Sequence, residues 1–154
     1  WGVVPWSAGL ASWAAEVCLR AWLVQRGGIG AGEHERGIAA VVGFIERHGS
    51  SRSADWELVG ERVVNSAGFR RRDGEDRTDY LFHAEGWKDA CEGFNPKEVA
   101  RGCVEAGLLE AVMESGRLRF QKNVKVPGRG TERFYILTGC GLEAYRAGLA
   151  EAEG

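Results

Sequence analysis

A chain of 154 residues is the size of one domain, or of one domain with a helical extension. With 44% hydrophobic and 27% charged residues, wholesale disorder is excluded, and six Trp with six Phe furnish a sizeable core. The net charge of −2 leaves the choice of partner to the way the charges are distributed.

In chain order, Leu10, Trp13, Ala14, Val17, Ala21 and Val24 form an apolar helical stripe, ended by Gly27 and Gly28. Residues 29–32 form a Gly-rich joint, and Glu33 is expected to open a second helix with acids in its first turn. Ile38, Val41, Val42 and Ile45 give that helix its buried face, and His48 with Gly49 closes it. Residues 50–61 read as a loop or short irregular connection. Residues 62–65 and 67–71 read as extended, residues 72–76 as a turn and residues 78–83 as a strand. A short helix is expected at 85–92, with Trp87 and Cys91 on one side. Gly93, Phe94 and Asn95 then form a turn. Asn95 caps a helix over 96–107, with Pro96 in the first turn and Glu98 three residues after the cap.

The last part is the most telling. A basic strand over 117–126, a Pro127-Gly128-Arg129-Gly130 turn and a return strand over 131–138 make a hairpin. Between residues 117 and 133 stand Arg117, Arg119, Lys122, Lys125, Arg129 and Arg133 against Glu132 alone. The tail reverses the sign, with Glu143, Glu151 and Glu153 against Arg146. Such polarity steers an anionic partner to one face despite a negative total. In the first strand Leu118, Phe120, Val124 and Val126 share one parity and are expected to face the core. Arg117, Arg119, Gln121, Asn123 and Lys125 then point outward, and Lys122 marks a bulge or strand end.

The order helix, strand, helix, helix, hairpin predicts an α+β fold with a winged helix-turn-helix core. The expected division is a helical extension over 1–32, a winged-helix domain over 33–138 and a helical tail over 139–154. Within the domain, 50–77 is an insertion and 117–138 the wing.

Several stretches are similar to the C-terminal region of a bacterial domain-of-unknown-function family. They are residues 1–6 (Trp-Gly-Val-Val-Pro-Trp), 21–28 (Ala-Trp-Leu-Val-Gln-Arg-Gly-Gly) and 64–70 (Val-Asn-Ser-Ala-Gly-Phe-Arg). Gly107, Leu108 and Leu109, with residues 124–128 and 134–138, also look like that family's tail. Its members are helicase-like or primase-associated ATPases of prophages and integrative elements. The resemblance implies an ATPase part upstream and supplies no catalytic residues here. The first residue is Trp rather than Met, so the chain is expected to be a piece of a longer protein.

Candidate chemistry is sparse. The glycines at 27–32 lack the Lys and Ser/Thr of a phosphate-binding loop, and Glu33 and His34 follow instead. Asp73, Glu75, Asp76 and Asp79 alternate with Arg70, Arg71, Arg72 and Arg77, which reads as a solvated hairpin tip. Cys18, Cys91, Cys103 and Cys140 form no CxxC pair and read as small buried side chains in a reducing cytosol. His34 and His48 sit at the exposed ends of one helix without an evident partner. No metal, cofactor or catalytic residue is expected. No apolar run approaches the roughly 18 residues of a membrane span, so a soluble, cytoplasmic protein without a membrane partner is expected.

The expected function is therefore that of a non-catalytic accessory domain of a larger ATPase, contacting DNA, with RNA the alternative. Arg117, Arg119, Lys122, Lys125, Arg129 and Arg133 would hold phosphates from the wing. Lys97 and Arg101 would lie in or beside the groove, with Arg70, Arg71 and Arg72 as auxiliaries. Weak sequence preference follows from the acids Glu98 and Glu105 on the same helix. Basic residues also guard hairpin edges against strand pairing, which is the competing explanation of the wing. A rival function is a protein-interaction or assembly module of the same parent.

Overall fold

The computed structural model describes residues 16–18, 31–58, 60 and 62–153. The chain forms two compact units, Trp1–Glu33 and His34–Gly154. In the first, residues 16–18 are helical with exposed side chains, Val17 included. The rest of the expected helix at 10–26, and the glycines at 27, 28 and 30, lie outside the described residues.

The second unit is an α+β fold built on a five-stranded, mostly antiparallel sheet. Helix α1 (Ala31–His48) begins two residues before the expected Glu33, and buries Phe44 besides the four expected apolar residues. Its last turn carries Arg47 and His48, which suits the negative end of the helix dipole. The expectation that both histidines lack partners is wrong. His34 Nε2 lies 3.3 Å from Glu98 Oε2, and the His48 ring lies 5.1 Å from that of Phe44.

Residues 50–61 are not wholly loop, because β1 (Ser53–Asp55) pairs in parallel with β2 (Gly68–Arg72), Ser53 opposite Gly68. Three small or polar residues carry no apolar alternation, which hides such a strand from pattern reading. Residues 62–65 are not a strand either, since Val64 and Asn65 form a turn with Asn65 at φ +53°. Strand β3 (Thr78–Phe82) runs antiparallel to β2, Phe69 opposite Leu81 and Arg71 opposite Asp79.

Helix α2 (Ala84–Ala90) is capped by His83, whose Nδ1 accepts from the Gly86 N–H at 3.1 Å. The other ring nitrogen, Nε2, lies 2.6 Å from the Ser66 carbonyl oxygen, so it carries the proton and donates. Trp87 and Cys91 share the buried side of this segment, as the spacing predicts. Helix α3 (Pro96–Glu105) starts as expected, with Asn95 Oδ1 accepting from the Lys97 N–H at 3.0 Å. It ends two residues early, at the Ala106 C-cap. Gly107 follows at φ +76°, the left-handed conformation that closes many helices. Gly102 is buried, where α3 packs against His34 and Ile38 of α1. A Cβ on Gly102 would lie 3.3 Å from His34 Cβ, and one on Gly37 would lie 2.7 Å from Val99 Cγ2.

The expected strand at 117–126 is broken in two. Strands β4 (Val112–Glu114) and β5 (Arg117–Arg119) form a separate antiparallel ribbon, Met113 opposite Leu118. Its turn, Ser115-Gly116, has φ of +51° and +73°, the two positive angles of a tight hairpin. After Phe120 and Gln121 the chain starts β6 (Lys122–Val126), which pairs with β7 (Gly130–Leu137). The sheet order is β1-β2-β3-β7-β6. Helix α4 (Gly139–Glu153) starts where Asp79 Oδ1 accepts from the Gly139 N–H at 2.9 Å.

Alternation along the strands divides the apolar residues between two clusters. Phe82 and Leu137, with half-buried Tyr80 and Tyr135, meet the cluster that contains α1, α2 and α3 side chains. Leu81, Phe134, Ile136 and Val126 form a second cluster with Trp56, Phe69 and Val124. Lys122 shares the parity of Val124 and Val126, and the strand end leaves it exposed. Leu118, expected to face the core, is 44% exposed.

Candidate nucleic-acid interface

The broken strand creates a cavity of about 330 Å³. One wall is the β4–β5 ribbon with its exit, supplying Glu114, Leu118, Arg119, Phe120 and Gln121. The other consists of Lys97 from α3 and Asn123, Arg133 and Tyr135 from β6–β7. Asn123 and Arg133 are cross-strand partners, and Arg133 Nε donates to Asn123 Oδ1 at 3.3 Å. Tyr135 stacks on the fully buried Trp87, ring centroids 4.8 Å apart and planes within 13°. Burial pushes the Tyr135 phenol up from its ordinary value. Trp87 in turn donates through Nε1 to the Pro96 carbonyl at 3.0 Å, tying this stack to the start of α3.

Three of the residues expected to bind nucleic acid, Lys97, Arg119 and Arg133, thus line one cavity. Arg119 Nε lies 3.4 Å from Glu114 Oε2, an exposed pair that water screens and a competing anion can displace. Lys97 stands in the first turn of α3, where the helix dipole also favours anions. Lys125 has the same parity on β6 as Asn123, two pairs nearer the turn, opposite Thr131. Arg117 is exposed on β5, opposite Glu114.

Other members are held elsewhere. Lys122 Nζ lies 3.3 Å from Glu110 Oε2. Arg129 lies over the Phe69 ring at 5.8 Å, on the second cluster's side of the sheet. Arg101 Nη1 donates to both Glu98 oxygens, at 3.0 and 3.1 Å. The three β2 arginines line a separate cavity of about 430 Å³ with Asp55 and Glu57. Arg71 donates to Asp79 Oδ2 at 3.2 Å and lies over the Trp56 ring; Arg70 approaches Asp55 at 3.9 Å and Arg72 approaches Asp76 at 3.5 Å. Asp79 is buried, not part of a solvated tip as its charge pattern suggests.

Sequence reasoning missed Glu114, Leu118, Phe120 and Tyr135 as wall residues. The signal that exposes this wall is Ser115-Gly116, a turn dipeptide inside what otherwise reads as the approach to one strand. Among the described residues, no group of three or more His, Cys, Asp or Glu is arranged to hold a metal ion, and no helix is long and apolar enough to cross a membrane. No family model matches this sequence, and comparison with curated proteins and with solved structures finds no match.

Proposed function

We propose that this chain is a nucleic-acid-binding module of the winged-helix class, working without catalysis of its own. What supports the class is the order α1, β3, α2, α3, β6, β7, with β7 lying between β3 and β6. On this reading α3 is the recognition helix and β6–β7 the wing. The observation that carries the function is the meeting of Lys97, Arg119 and Arg133 around one cavity between that helix and that hairpin. Lys125 and Arg117 extend the cationic surface, and phosphate contacts dominate over sequence reading. The resemblance, carried by stretches spread along most of the chain, adds the proposal of an accessory role to a larger mobile-element ATPase, with DNA as partner ahead of RNA.

Fluorescence anisotropy with labelled DNA at about 50 and 200 mM salt tests this, since several phosphate contacts cost on the order of a hundredfold in affinity over that range. The double variant Arg119→Ala, Lys125→Ala is expected to weaken binding to every sequence alike and to reduce the salt slope by about 2. Unchanged affinity at low salt would remove this surface from the function. A second reading, a protein-docking module, draws on the exposed β4–β5 ribbon, where Met113 is 66% exposed beside Leu118. Partner binding indifferent to salt would favour it.

A further inference from the structure

We infer that the cavity beside α3 seats one unpaired nucleobase, so that the chain prefers single-stranded to duplex nucleic acid. This rests on the nucleic-acid reading above and names the form of ligand that reading leaves open. Phosphate contact alone calls for exposed cations, yet this cavity also contains rings and amides. Phe120 lies half-buried in its wall at the link between β5 and β6. Tyr135 is fixed there by its stack on Trp87. Aromatic walls of this kind match the flat face of a base, which every base offers regardless of sequence.

Gln121 and Asn123 add side chains with both a donor and an acceptor, as the edge of an unpaired base requires. Asn123 is oriented by the hydrogen bond from Arg133. Lys97 and Arg119 are then placed for the phosphates that flank the seated nucleotide. Size points the same way. A cavity of about 330 Å³ lies at the lower end of the roughly 300–1,000 Å³ of small-ligand sites. That accommodates one base with its sugar, whereas a duplex keeps each base stacked between neighbours and out of reach of such a wall. The larger arginine-lined cavity on β2 has two carboxylates, Asp55 and Glu57, set against an anion.

The test compares labelled single strands and duplexes of about 12 nucleotides, with a 2-aminopurine base in the single strand reporting stacking. The wild-type chain is expected to bind the single strand at least about tenfold more tightly and to quench the reporter. With the aromatic face removed, Phe120→Leu should lose about tenfold or more on the single strand and quench less. Its duplex affinity should stay within about twofold. Leucine preserves the apolar contact with the core, and Gln121→Ala, at a partly exposed position, is a second probe of the same wall. Equal affinity for both forms, with both variants acting on both alike or on neither, would overturn the inference and leave the phosphate-binding function standing. Failure of the wild-type chain to bind either form at low salt would overturn both.

Discussion

Asp73 and Asp79 sit six positions apart and show how differently two carboxylates of one charge-rich stretch are used. Asp73 is at the turn between β2 and β3, where its Oδ1 accepts from the Glu75 and Arg77 N–H groups at 2.9 and 3.0 Å. Those two backbone donors, Glu75 first, hold its carboxyl below the ordinary value of 3.8, with Arg77's charge adding to the effect. A folded-state value below the unfolded one means that the stabilising contribution is complete above pH ~4 and is lost as pH falls through the folded value. An NMR titration of the Asp73 carboxyl should therefore show a midpoint below that of a free aspartate, with the Glu75 amide shifting alongside. A midpoint at or above 3.8 would mean that the two donors do not hold the ionised form. Asp79 instead turns inward, joining Arg71 of β2 to the first N–H of α4. Its alternation with arginines in sequence carries no sign of that burial, because a charged residue's orientation depends on the partner strand and helix.

At the scale of elements, helix starts and stops are local chemistry and are legible. Asn95, Pro96 and Gly107 bracket α3 to within two residues. The apolar spacing of α1 likewise identifies its buried side. Strands were harder: β1 is three residues without a pattern, and the β5–β6 break depends on where chains pair rather than on parity. Close approach of elements is invisible to pattern reading as well. Gly86, in the first turn of α2, has the Ala67 carbonyl oxygen where a Cβ would stand, 1.9 Å away, and that oxygen belongs to backbone leading into β2. Gly86→Ala is expected to lower stability by on the order of 3 kcal/mol in denaturant unfolding. Gly148→Ala, in α4 with nothing within 4 Å, should gain up to about 1 kcal/mol. Comparable effects from the two substitutions would show that α2 does not pack so closely on this segment.

For the whole molecule, the division of cysteines reports on the core. Cys91 and Cys103 are fully buried in the helical cluster, and burial pushes both thiols up to about 12, with Cys91 adding to the effect on Cys103. Cys18 and Cys140 are exposed, contrary to the expectation that all four are buried. At pH ~8 a disulfide reagent should therefore label two thiols rapidly and two at the rate of unfolding, since the thiolate is the nucleophile. Four rapid equivalents in the native state would show that the helical layer opens readily. Which half of the candidate site was legible follows the same logic. The cations of the β6–β7 hairpin could be read directly from the sequence, whereas their companions Phe120 and Tyr135 could not. An aromatic at strand parity reads as core until the neighbouring ribbon is known to stand apart.

The separation of the two hairpins has a consequence for how such a cavity diversifies. Among the described residues β4 and β5 pair with each other and not with the five-stranded sheet. A residue gained or lost at Ser115-Gly116 is therefore absorbed within that ribbon, while β6 and β7 retain their alignment with β3. Descendants of this sequence can reshape one side of the cavity by insertion and deletion, a coarse and rapid form of variation, without unsettling the framework that supports the other.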